Sequence, residues 1–97
     1  MSAAIQTTDV FEDWFSTLKD RAAKARIQVR IDRLALGNPG QHRKLKQGVA
    51  EMKIDHGAGY RVYYVTRGGV TYILLCGGDK QSQDTDIELA QSMADHV

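Results

Sequence analysis

The sequence predicts an α+β fold: an N-terminal strand and a helical hairpin packed on an antiparallel β-sheet, closed by a C-terminal helix. Three observations carry this. Apolar residues recur at helical spacing from Phe11 to Leu34. Short runs of strand-forming residues, punctuated by glycine, follow as far as Gly78. An acidic segment with helical periodicity ends the chain. The resulting order is strand, two helices, four strands, helix, and 97 residues suffice for one domain over 1–97 with one modest core.

Ala3–Thr7 reads as a short first strand. Thr8 or Asp9 offers an N-cap, and Asp9 and Glu12 place negative charge at the helix start. Phe11, Trp14, Phe15 and Leu18 then share one helical face as a core stripe. Asp20 caps a second helix with almost no linker, which makes a tight helical hairpin. Its buried rib is Ala23, Ile27, Ile31 and Leu34, with Ala25 and Val29 beside it. Gly37 suits the C′ position and Pro39 prevents continuation. Arg26, Arg30 and Arg33 line a different face; arginine's planar fork suits carboxylate or phosphate.

Glycine turns at Gly48, Gly57–Gly59 and Gly68-Gly69 separate the later strands. In VAEMKID, Ala50, Met52 and Ile54 point toward the helices, while Glu51, Lys53 and Asp55 point away. In YRVYYV, Arg61, Tyr63 and Val65 share a face opposite Tyr60, Val62 and Tyr64; the register against Lys53 is open. VTYILLC is apolar on both faces, as a covered central strand should be. In the last helix Ser82 caps, Asp84, Asp86 and Glu88 suit the positive end, and Ile87, Ala90 and Met93-Ala94 pack.

The net charge of +1 conceals a division along the chain. Residues 1–18 carry three acids and no base, residues 19–67 twelve Lys/Arg against four acids, and residues 79–97 five acids against Lys80. A basic middle between acidic ends favours an anionic partner, with nucleic acid first, and Arg43, Lys44, Lys46 and Arg67 are its candidate contacts. One cysteine excludes an internal disulfide and a thiol-based zinc site, and fits a reducing cytoplasm. His42, His56 and His96 set no metal-ligand spacing, so no metal or other cofactor is expected. The N-terminus lacks the basic region of a secretory signal, and the longest apolar run is too short to span a bilayer.

The stretch Tyr60–Lys80 forms a hairpin that presents cations at its ends, a frame suited to a phosphate chain. Its tyrosines are read as cross-strand packing rather than base-stacking groups. DRAAKARIQVRIDRLALGNPG, GVAEMKIDHGAGYRVYY and LLCGGDKQSQDTDIELA, in this order, resemble the RelE/HigB-type toxins of bacterial and phage type II toxin–antitoxin modules. The likeness covers nearly the whole chain and is nearest to the addiction-module killer proteins of the RelE/ParE superfamily. It implies a RelE-like fold and a cytoplasmic toxin neutralised by a cognate antitoxin in a hetero-oligomer. The implied activity is metal-independent cleavage of mRNA, commonly on the ribosome.

The resemblance also implies site residues. Arg61 matches the family's strand arginine and would stabilise the phosphorane, with Lys80 and Lys53 next to it. The proton acceptor is open among Lys53, Lys80, Glu51 and His96. Some relatives place a functional residue near the C-terminus, where this chain reads SMADHV. Arg26, Arg30 and Arg33 form a face suited to an acidic antitoxin segment. Two other readings share these residues: a ParE-like toxin that poisons DNA gyrase without cutting RNA, and an inactive module that only docks an antitoxin or nucleic acid.

Overall fold

The chain opens with β1 (Ala4–Thr7), which hydrogen-bonds in parallel to the last strand, β5 (Thr71–Gly78), in a computed structural model that describes residues 3–97. Between them run α1 (Asp9–Thr17), α2 (Arg21–Ala35), β2 (His42–Lys44), β3 (Ala50–Ile54) and β4 (Tyr60–Arg67). A short 3₁₀ turn, Lys46–Gly48, joins β2 to β3, and α3 (Gln83–Ala94) ends the fold. The sheet order is β1-β5-β4-β3-β2. Strands β2 to β5 form the expected antiparallel meander, and β1 adds a parallel edge.

The helical hairpin covers one face of the sheet. Phe11, Ile27, Ile31 and Leu34 pack there on Ala50, Met52, Ile54, Val62, Tyr64 and Leu74. On the other face α3 brings Ala90 and Ala94, with Ile87 and Met93, onto Tyr63, Val65, Leu75 and Cys76. The alternation read from β3 and β4 therefore holds residue by residue. Ala25 and Val29, placed beside the rib of α2, are exposed. No helix among the described residues is long and apolar enough to cross a membrane.

The ends of the helices follow their sequences. The Thr8 hydroxyl accepts from the Phe11 amide at 3.1 Å and donates to the Leu75 carbonyl at 2.6 Å, so one side chain caps α1 and ties it to β5. Thr8→Ala should therefore cost about 1–2 kcal/mol, read as a fall in Tm that Thr8→Ser largely restores. Asp20 caps α2 by accepting from the Ala23 amide. At its other end the Gly37 and Asn38 amides donate to the Leu34 and Arg33 carbonyls, each at 2.9 Å. Ser82 stands at the N-cap of α3, but its hydroxyl donates to the Asp86 carboxylate instead of accepting from a helix amide.

Two features fix the ends of β5 and β3. Leu75 is an extra residue in β5, because Tyr63 pairs with Cys76 and Tyr64 with Leu74. The bulge reverses the alternation beyond it, so Gly77 faces Trp14 and Gly78 faces Ser82 and Asp86. A β-carbon at either glycine would collide with those side chains, which is why the strand ends in a glycine pair. The second feature is Arg30. Its guanidinium donates to the Lys53 carbonyl at 2.6 Å, Pro39 at 2.9 Å and Gln41 at 3.0 Å, stapling α2 to β3 and to the approach to β2.

Candidate functional site

The β3–β4 register sets Lys53 directly across from Arg61 and Glu51 across from Tyr63. All four side chains project from the sheet face that α3 covers only in part. On the other side of β3, Arg43 of β2 pairs with Glu51, and Gln83, the first residue of α3, reaches the same point. Together these residues bound a cleft of about 350 Å³, lined by Gln41, His42, Arg43, Glu51, Lys53, Arg61 and Gln83.

Arg61 is only 6% exposed. It donates from Nη1 to the Gly59 carbonyl at 2.6 Å, and its buried Nε has no partner among the described residues. No described carboxylate pairs with it. A buried guanidinium without a counter-charge is costly unless something anionic completes it. Gly59 makes room for this arrangement: its φ is +75°, and Arg61 Nη1 lies 3.1 Å from where a β-carbon would stand. The Lys80 Cβ lies 3.5 Å from the same point, and its backbone amide donates to Ala58. Lys80 is exposed at the rim, beside the Arg61 end of the cleft.

Glu51 is 4% exposed, with both oxygens engaged. Oε1 accepts from Arg43 Nε at 2.7 Å and Oε2 from Gln83 Nε2 at 3.0 Å. Burial alone would raise its pKa, but hydrogen bonds from Arg43 and Gln83, and the nearby Tyr63 hydroxyl, outweigh burial and hold it below the usual carboxylate range. Its folded pKa is depressed, so its stabilising contribution is complete above the unfolded carboxylate range and is lost as pH falls through the folded value. Tyr63 is fully buried; burial and then the Glu51 charge push its hydroxyl far up, so it stays neutral. Its oxygen adjoins Glu51 without hydrogen-bond geometry to any described group.

Below the cleft, Asp86 is raised by burial and by Asp79, against the Ser82 hydrogen bond. Asp79 Oδ1 accepts from the Gln81 and Ser82 amides, which shapes the turn into α3. The Cys76 thiol is buried and pushed up to about 12, first by burial and then by Asp86, consistent with an inert hydrophobe.

The residues singled out from sequence divide in space. Arg61, Lys53, Glu51 and Arg43 meet in the cleft, with Lys80 at its rim. Lys44 and Lys46 are exposed along the β2 edge and the following turn. Arg67 lies at the far end of β4, about 20 Å along the strand from Arg61. There it donates to the Ala94 carbonyl at 2.8 Å and the Val97 carbonyl at 3.4 Å, closing the C-terminus of α3. His96 sits exposed at that same end, away from the cleft. Arg26 and Arg33 are exposed on α2, whereas Arg30 turns inward onto backbone carbonyls.

Sequence reasoning named neither Gln41 nor Gln83, and it set aside His42 as a metal ligand and Tyr63 as a base-stacking group. Gln83 meets Glu51 across 32 positions of sequence, a juxtaposition that no local pattern signals.

Residues 13–94 match the family of the phage derived protein Gp49-like (DUF891). The chain belongs to this family. An uncharacterised protein of Haemophilus influenzae is 47% identical to it over 97 residues, covering 100% of this chain and 98% of its own. Among solved structures, a double mutant of the E. coli toxin RelE in the free state matches this Gp49-like chain with a TM-score of 0.74 at 12% identity. That match covers 96% of this chain and 99% of the other. The intact E. coli RelBE toxin–antitoxin complex matches at 0.65 and 15% identity over 80% of this chain and 96% of the other. The Mycobacterium tuberculosis toxin–antitoxin complex RelBE2 matches at 0.63 and 15% identity over 82% and 100%. This Gp49-like chain therefore has the RelE fold, as the resemblance implied.

Proposed function

We propose that this chain is the toxin of a RelE-type toxin–antitoxin pair and that it cleaves mRNA on the ribosome, in the cytoplasm, without a metal ion. The observation that carries the reading is Arg61: a buried guanidinium with no counter-charge and a spare Nε among the described residues, in a cleft that also holds Lys53. In the proposed reaction the ribose 2′-hydroxyl attacks the adjacent phosphorus and the P–O5′ bond breaks. The products are a 2′,3′-cyclic phosphate and a 5′-hydroxyl end. Arg61 donates to the non-bridging oxygens as they gain charge, and Lys53 across the strand pair adds a second cation. Lys80 at the rim and Arg43, Lys44 and Lys46 along the β2 edge hold flanking phosphates. Purified chain should cut ribosome-bound mRNA to give 5′-hydroxyl ends; intact ribosome-bound and naked mRNA would sink the proposal.

The same reading requires a neutralising antitoxin, and two of the structural relatives are toxin–antitoxin complexes. On α2 a groove of about 610 Å³ has Ala22, Ala25, Val29 and Ile54 along its apolar wall, with Arg26, Arg30 and Arg33 and a single acid, Asp55, around it. Val29 is 46% exposed there. An acidic amphipathic segment of the antitoxin fits this combination. Reversing Arg26 and Arg33 together to glutamate should weaken antitoxin binding by about tenfold or more at low salt, with Tm unchanged. Undiminished affinity in a titration would end this assignment.

A further inference from the structure

We infer that Glu51 is a positioning residue, which holds Arg43 and Gln83 in place around the cleft, and that it does not take the 2′-hydroxyl proton. The inference rests on the cleavage reading above.

Glu51 sits where three elements converge, and its side chain is a point at which all three are tied. From β3 it reaches Arg43 on β2 through one oxygen and Gln83 on α3 through the other. Each partner is left with a defined remainder. Arg43 is 57% exposed and spends only Nε on Glu51, so both terminal nitrogens stay available to a ligand. A long exposed arginine otherwise loses much rotamer freedom on binding, and prior fixation lowers that cost. Gln83 spends its amide nitrogen, so its carbonyl oxygen is the atom left to the cleft it lines. Glu51 thus sets a pair of donors and one acceptor beside Arg61 and Lys53.

The same geometry argues against a proton-accepting role. A base must come within hydrogen-bond reach of the proton it takes. Here the carboxylate is 4% exposed, and both oxygens already accept charge-assisted or amide hydrogen bonds. The groups around it are Arg43 from β2, Lys53 from its own strand, Arg61 and Tyr63 from β4, and Gln83 from α3.

The test uses the full chain with Glu51→Gln, Glu51→Ala, Arg43→Ala and the Glu51→Ala/Arg43→Ala double variant. Two quantities are read: single-turnover cleavage of ribosome-bound mRNA as a function of pH, and affinity for a 2′-O-methyl oligoribonucleotide. The amide in Glu51→Gln can still accept from Arg43 and donate to a flipped Gln83 carboxamide. Cleavage should therefore stay within about tenfold of wild type, with an unchanged pH profile, because removing a true base costs roughly a hundredfold or more. Glu51→Ala and Arg43→Ala should each weaken oligonucleotide binding, and the double variant should be no weaker than the worse single one. A loss of about a hundredfold or more in Glu51→Gln, with disappearance of the acid limb and unchanged binding, would make Glu51 the base and overturn the inference. Additive binding losses in the double variant would overturn it too. Should Glu51→Ala not fold, the coupling is read from Glu51→Met, which fills similar space without an acceptor, alone and with Arg43→Ala, where the two losses should again not add. A wild-type chain that binds without cutting refutes the cleavage reading alone, and the binding arm still decides Glu51. A chain that neither binds nor cuts refutes both.

Discussion

Arg61→Ala is expected to slow mRNA cleavage by about a hundred- to a thousandfold and to leave the protein folded. The activity loss follows from the role of a preorganised cation at the phosphorus, where charge develops as the 2′-hydroxyl attacks. The stability expectation follows from the surroundings of the side chain. Arg61 makes one hydrogen bond, to Gly59, and no ion pair among the described residues. Its removal therefore breaks no buried pair, the circumstance in which losing a buried charge is strongly destabilising. A purely structural arginine would behave in the opposite way, with a large fall in Tm and activity lost only through unfolding. Rates normalised to folded protein, with Tm beside them, separate the two. Arg61→Lys keeps the charge without the planar fork and should recover only part of the rate.

The largest stability effect is expected at Arg30. Arg30→Ala strands the carbonyls of Lys53 and Pro39 and leaves that of Gln41 with the Lys53 amide alone. Hydrogen bonds from a charged donor contribute more than neutral ones, and the group is partly buried. A loss of about 2–3 kcal/mol is expected, a fall in Tm of about 10–20 °C for a domain of this size. Arg26→Ala and Arg33→Ala, on the exposed face of the same helix, should leave Tm within a degree or two of wild type. Three arginines at helical spacing look equivalent in the sequence; only Arg30 carries the fold. If thermal unfolding shows equal, small shifts for all three, the staple between α2 and β3 is not what holds them together.

Much of the architecture was legible because it rests on periodicities. The α2 rib, the alternation in β3 and β4 and the two-sided apolar strand β5 all follow from which residues must leave water. The parallel pairing of β1 was not legible, since four residues carry no register information across the 67 positions that separate Ala4 from Thr71. Nor was the bulge at Leu75, which reverses the side-chain alternation and gives both glycines of the strand end a steric reason. At the site, Arg61, Lys53, Glu51 and Arg43 were all named from sequence, but not their relations. Glu51 was named as a proton-acceptor candidate; it pairs with Arg43 because β2 sets that residue against it, while Lys53 projects two residues along its own strand. Arg67 and His96 looked like members of the basic and catalytic sets. The length of β4 carries Arg67, and that of α3 carries His96, to the opposite end of the sheet, where Arg67 closes α3.

The central claim is that Arg61 holds a scissile phosphate. Mapping 5′-hydroxyl RNA ends in cells that express the wild-type chain or Arg61→Ala tests it most directly. The expected result is a new set of ends within coding regions when the wild-type chain is induced without its antitoxin, coincident with growth arrest. Both the ends and the arrest should be absent with Arg61→Ala at equal protein level. Arrest without new ends, or the same ends with Arg61→Ala, would contradict it.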